Sequence, residues 1–132
     1  MKQIKIIIER SIDLYCSYAE NVDGIYGAGD TVEEAKLSIL DAIEIVKEIN
    51  RPENIPKILN GNYKLIYKFD TQSFLTHYLE IFTTTALERI TGISQQQISH
   101  YATGLKKPRQ TQIKKIEAAL HNLGGELMSV EL

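Results

Sequence analysis

The hydrophobic period of this chain switches from mostly two to 3.6 for good near Asp70, and that change constrains its fold more than any other feature. Before it, three segments carry apolar residues at every second position; after it, apolar residues recur only every three or four. Period two is the mark of half-buried strands. Ile4, Ile6 and Ile8 share one face of a first strand, and Leu14, Cys16 and Tyr18 line a second. Tyr63, Leu65, Tyr67 and Phe69 point one way in a later strand, with Lys64 and Lys68 opposite. The Ser11-Ile12-Asp13 link suits a hairpin, and Ile25-Tyr26 offers a short additional strand before a tight turn at Gly27-Ala28-Gly29.

One helix interrupts these strands. Thr31 and Glu34 have the Thr-x-x-Glu spacing of a capping box, in which two helix-end donors are satisfied reciprocally. Val32, Ala35, Ile39, Ile43, Val46 and Ile49 then form an apolar stripe. Glu33, Lys36, Asp41, Glu44, Lys47 and Glu48 occupy the other face, as on an ordinary solvated surface. Pro52, Pro56 and Gly61 break the helix and return the chain to the sheet. The order β-β-(β)-α-β predicts a small antiparallel sheet with one covering helix over residues 1–70.

This half offers no catalytic set. Gly27-Ala28-Gly29 lacks the third glycine of a phosphate-binding fingerprint, and Asp30 would repel an anion at the helix start. His77, His100 and His121 all lie in the other half, so no histidine base is present here. Glu33 and Glu34 diverge by about 100° on a helix and do not share a ligand easily. Cys16, the single cysteine, excludes an internal disulfide and a Cys-rich zinc site. Its alternating apolar position predicts a core residue rather than a nucleophile. No enzyme, metal or cofactor is expected.

The run Asp23-Gly24-Ile25-Tyr26-Gly27-Ala28-Gly29-Asp30-Thr31-Val32-Glu33-Glu34-Ala35 resembles the signature of HicB-type antitoxins. In that family a strand and a glycine-containing turn lead into Gly-Asp-Thr-x-Glu-Glu-Ala at the start of the single helix. The likeness extends over essentially all of residues 1–70. It implies a partial RNase H-like fold without nuclease activity that blocks a small HicA-like toxin ribonuclease. Residues 1–70 carry 9 Lys/Arg against 12 Asp/Glu, a balance that permits a basic partner without requiring one.

Beyond Asp70 the chain reads as helical. Phe74, Tyr78, Ile81 and Phe82 form a first amphipathic stripe from about Gln72. A short helix follows, from Thr83-Thr84-Thr85 through Thr91, and Gly92 ends it. Ser94 and Gln97 then have the Ser-x-x-Gln spacing of a capping box opening the next helix. Ile98, Tyr101 and Ala102 face inward, and Gly104 supplies the stop. In a last helix Ile113, Ile116, Ala119, Leu120 and Leu123 make the buried stripe, with Gly124-Gly125 as its end. The tail Glu126–Leu132 adds a short strand, seals a dimer or frays.

Helix, glycine turn, helix is the pattern of a helix-turn-helix. The run from Thr91 to Arg109 resembles the lambdoid repressor and Xre family, with a turn glycine, a Gln-rich helix start, then glycine and a basic-Pro-Arg segment. The likeness covers about residues 72–123. It implies that Gln95, Gln96 and His100 read base edges in the major groove, where a Gln amide pairs bidentately with adenine N6 and N7. It places Thr84, Ser99, Lys106, Lys107 and Arg109 on the DNA backbone, with Gln97 engaged in the cap. One position departs from the family: the residue after Leu87 is normally small, and here it is Glu88. Either Glu88 closes a Thr85-x-x-Glu88 box or the two helices cross differently.

Residues 71–132 hold 6 basic and 5 acidic residues, so DNA affinity must come from a local patch, aided by dimerisation. No apolar run reaches the roughly 18 residues that span a bilayer, and nothing resembles a signal peptide; a cytoplasmic location is expected. The expectation is an α+β antitoxin that neutralises a HicA-like toxin and represses its own operator as a homodimer or higher oligomer. The alternative is a stand-alone transcription regulator whose N-terminal half dimerises or senses a ligand.

Overall fold

The computed structural model describes residues 1–132 and has two compact units, Met1–Asp70 and Thr71–Leu132. The protein is α+β, a four-stranded sheet with one helix followed by a set of helices.

In the first unit, β1 (Lys2–Arg10), β2 (Tyr15–Ala19) and β3 (Tyr26–Gly29) precede α1 (Val32–Ile49), and β4 (Tyr63–Phe69) closes the unit. The sheet order is β3-β2-β1-β4. β2 is antiparallel to both its neighbours, but β4 runs parallel to β1. The sheet is therefore mixed, not antiparallel as the strand pattern suggested. The cause is α1, because a helix that follows a strand brings the chain back to the end where that strand began. β3 already shares the direction of β1, so β4 must share it as well. Two short 3-10 turns, Pro52–Asn54 and Lys57–Leu59, carry the chain to the far edge, with Leu59 buried on the way.

The core lies between the sheet and α1. Ile4, Ile6 and Ile8 are fully buried there, as their alternation predicts, together with Val32, Ala35, Ile39 and Ile43. Each of these isoleucine and valine side chains contributes roughly 1.5–3 kcal/mol relative to exposure. Ile49, expected on this stripe, is exposed at the helix end instead.

β2 turns the opposite way from the expectation. Its core face is Tyr15, Ser17 and Ala19, whereas Cys16 is exposed. The hairpin register decides this, since it pairs Ile8 with Ser17 and Ile6 with Ala19, and paired residues share a face. Three buried isoleucines fix the side, and the one polar intruder is satisfied: Ser17 Oγ donates to the Ala35 carbonyl at 3.1 Å.

Gly27-Ala28-Gly29 is strand rather than turn. A Cβ on Gly29 would stand 2.4 Å from Glu34 Cβ, and one on Gly27 would stand 2.8 Å from Ser38 Oγ. The glycines let α1 lie directly on β3, where the Ala28 amide donates to Ser38 Oγ at 3.1 Å. The α1 cap also differs from the reciprocal form. Thr31 Oγ1 accepts from the Glu34 amide, but Glu34 Oε2 accepts from Asp30 N–H, one residue earlier than expected.

The second unit consists of α2 (Thr71–Tyr78), α3 (Thr84–Thr91), α4 (Gln95–Thr103) and α5 (Gln110–Met128). Leu75, Leu87, Ile93, Ile98, Tyr101 and Ile116 form its core. α2 stops at Tyr78, where Ile81 and Phe82 N–H groups turn back onto the Tyr78 carbonyl, and Ile81 is exposed rather than part of the stripe. Gly124-Gly125 does not end the last helix, which runs on to Met128. Nothing lies within 4 Å of a Cβ built on either glycine, and intact helical bonding outweighs a propensity cost of about 1 kcal/mol each. The tail accordingly begins as helix, with no strand after it.

Candidate nucleic-acid interface

Local chemistry fixes α3 and α4 as a pair. Thr83 caps α3 by accepting from the Ala86 amide at 3.0 Å. Gly92 ends α3 with φ of +77°, a left-handed conformation that favours glycine. Ile93 follows and is buried, which draws the turn into the core. Thr91 Oγ1 donates to the Leu87 carbonyl at 2.6 Å and accepts from Ile93 N–H at 3.1 Å, pinning the turn. Ser94 then caps α4 by accepting from the Gln97 amide at 3.2 Å, a cap of about 1 kcal/mol.

Gln97 does not complete the box. Its Nε2 donates to the Tyr101 hydroxyl at 2.9 Å, one helical turn on. Tyr101 is buried through its ring, and the bond to Gln97 satisfies its polar tip.

With Ile98 and Tyr101 inward, helical periodicity puts Gln96, Ser99, His100 and Thr103 on the outward side. Gln95 and Gln96 are exposed, while Ser99 and His100 are half-buried. His100 Nδ1 is buried without a hydrogen-bond partner, so Nε2 is the ring atom the residue can offer a ligand. Gln95 is held on both sides: Thr84 Oγ1 donates to its Oε1 at 3.4 Å, and its Nε2 donates to Glu88 Oε2 at 3.2 Å.

Glu88 therefore closes no capping box, since α3 starts at Thr84 under a Thr83 cap. It is half-buried and bonded across to α4. Its partnership with Gln95 is the feature that sequence reasoning did not identify. The departure from a small residue at that position was the available signal.

α4 ends at Gly104 with φ of +82°. A Cβ there would meet only the amide end of the flexible, exposed Gln72 side chain, so the constraint on the residue is conformational. The exposed loop beyond it carries Lys106, Lys107 and Arg109. These three cations line one concavity of about 530 Å³ with Gln97, Tyr101 and Gln112. Arg109 occupies the N-cap of α5 without a side-chain cap bond, so the first-turn N–H groups of α5 stand beside the basic loop. Cations and helix-end N–H groups together suit a phosphate oxygen.

Residues 82–122 match the family model described as helix-turn-helix. This segment is a helix-turn-helix. Its presence indicates a DNA-binding regulator of transcription. No curated protein matches the chain. No solved structure matches it either. In the helix-turn-helix, α4 is the second helix of the motif and carries Gln95, Gln96, Ser99 and His100, whereas Thr84 starts the first. No helix of the chain is long and apolar enough to cross a membrane.

Proposed function

We propose that the protein is the antitoxin of a toxin-antitoxin pair and an autorepressor of its own operon. The observation that carries this reading is the joining, in one chain, of a helix-turn-helix to a first unit whose sequence resembles that of HicB-type antitoxins. That unit keeps the Gly-Asp-Thr-x-Glu-Glu-Ala run at the junction of β3 and α1. In this reading the first unit binds and occludes a small basic HicA-like ribonuclease, without chemistry of its own. Its excess of acidic over basic residues, 12 to 9, favours such a partner.

In the second unit, α4 enters the major groove of operator DNA. Gln95, Gln96 and His100 meet base edges, Gln95 presenting its amide from the seat provided by Thr84 and Glu88. Ser99, Lys106, Lys107 and Arg109 hold the backbone, with Thr84 at the start of α3. The net charge of +1 over residues 71–132 is small, so tight binding requires at least a dimer on two half-sites about one helical turn apart.

Co-expression with the product of an adjacent small basic reading frame tests the reading. A stable complex that silences that product's ribonuclease activity is expected. Absence of a complex at micromolar concentration contradicts the antitoxin role and leaves a stand-alone regulator.

A further inference from the structure

The outward side of α1 has an unusual composition. Its exposed apolar residues are Leu37, Leu40, Ile45 and Ile49, the first and last 61% and 76% accessible. The other exposed residues of this helix are all acidic, with Asp41, Glu44 and Glu48 interleaved among the apolar ones. The helix has two lysines, and both lean back on the sheet. Lys36 Nζ lies 4.4 Å from the Tyr67 ring centre, and Lys47 Nζ donates to the Tyr63 hydroxyl at 3.2 Å while lying 3.8 Å from Glu44 Oε1. A solvated face would mix both charge signs and neutral polar residues, and scattered single apolar side chains would need no explanation. Four large aliphatic residues set among carboxylates, with Lys36 held over Tyr67 and Lys47 shared between Glu44 and the Tyr63 hydroxyl, form a pattern.

We propose that this face of α1 docks a cationic protein partner, whose Lys and Arg meet Asp41, Glu44 and Glu48 while its apolar side chains cover Leu37, Leu40, Ile45 and Ile49. Charge selects the occupant. A nucleic acid or an anionic membrane is repelled by the carboxylates, although apolar spacing of this kind could otherwise serve a membrane. A second copy of the chain would set like charges against each other across the same apolar strip. A basic polypeptide surface satisfies both components at once. The identity of that partner rests on the antitoxin reading; the surface and its charge preference do not.

The test has two arms, both on the full chain. In the first, the probe is a synthetic helix-forming peptide of leucines at three- and four-residue spacing on a lysine background. Backbone amide shifts confined to α1, absent with a glutamate-background peptide and weakened by salt, are expected. No shifts, shifts centred on another face, or concentration-dependent self-association through α1 would overturn the proposal.

In the second arm, the small basic co-encoded protein is titrated against wild type, Leu37→Ser and the double variant Glu44→Lys, Glu48→Lys. These positions are exposed, and circular dichroism checks that folding is retained. Each variant should lose about tenfold or more in affinity, whereas Ile12→Ser in the exposed β1–β2 loop should lose none. A complex whose affinity the α1 changes leave intact overturns the docking face while sparing the antitoxin role. No complex, with the peptide still mapping to α1, overturns the antitoxin role while sparing the docking face.

Discussion

Glu88 and Gln95 are joined across the helix-turn-helix, the Gln95 amide donating to the Glu88 carboxylate at 3.2 Å. In the proposed DNA complex an anion beside this surface would be electrostatically unfavourable, because it would lie near phosphates. The return is orientation, because a glutamine whose amide is fixed presents its donor and acceptor in one direction only. Glu88→Ala should therefore raise affinity for non-specific DNA and lower the preference for operator by about 1 kcal/mol. Fluorescence anisotropy on both DNAs measures this. A double-mutant cycle with Gln95→Ala should give a coupling of at least roughly 0.5 kcal/mol in discrimination. Additive effects would mean that the bond does not orient the reader.

The basic loop makes a different prediction. Lys106→Ala should weaken binding to all sequences alike and reduce the salt slope by about 1, the signature of a lost phosphate contact. A selective loss on operator alone would place Lys106 at a base edge instead.

Glycines give opposite expectations in the two units. Gly27→Ala pushes a methyl group against Ser17, Ser38 and the α1 backbone and should destabilise the first unit by about 1–3 kcal/mol. Gly124→Ala adds a methyl group in open space on a helix and should stabilise the second by up to about 1 kcal/mol. Denaturant midpoints of the two single variants check both signs.

Alkaline pH should loosen the first unit. The hydrogen bond to the Tyr63 hydroxyl raises the Lys47 ammonium above its usual range, burial partly opposing it, and burial raises the Tyr67 phenol. A raised folded value means that stabilisation is complete below the unfolded value and is lost as pH climbs through the folded one. Stability owed to these groups should thus be constant through neutral pH and fall above about pH 10. Tyr67→Phe should make the alkaline decline shallower, as followed by urea midpoints between pH 8 and 11; an unchanged decline would contradict the assignment.

The sequence made some of this legible and obscured the rest for physical reasons. Ile4, Ile6 and Ile8 announce β1 because one face is wholly apolar, and Thr31 announces α1 through its side-chain oxygen. β2 is ambiguous because both of its faces contain apolar residues. Ser17 takes the core position because the register with β1 places it there, and a carbonyl on α1, 18 residues away, satisfies its hydroxyl. The direction of β4 depends on where α1 returns the chain, which periodicity does not encode. Gly27 and Gly29 look like a turn when read locally and prove to be the clearance for a helix. In the second unit the Ser94 cap is legible from its spacing, whereas the choice of Thr83 among three threonines, the Gln97 bond to Tyr101 and the Glu88 bond to Gln95 are not. Those depend on how side chains settle once the helices have packed.

The proposed reading of DNA by α4 has one direct test. Binding to the protein's own promoter and to a scrambled duplex is measured at fixed salt for wild type and Gln96→Ala. Gln96 is exposed on the outward side of α4, and its loss should lower the promoter preference by roughly 1–3 kcal/mol while sparing the scrambled duplex. A promoter preference unchanged in Gln96→Ala would contradict the placement of α4 in the major groove.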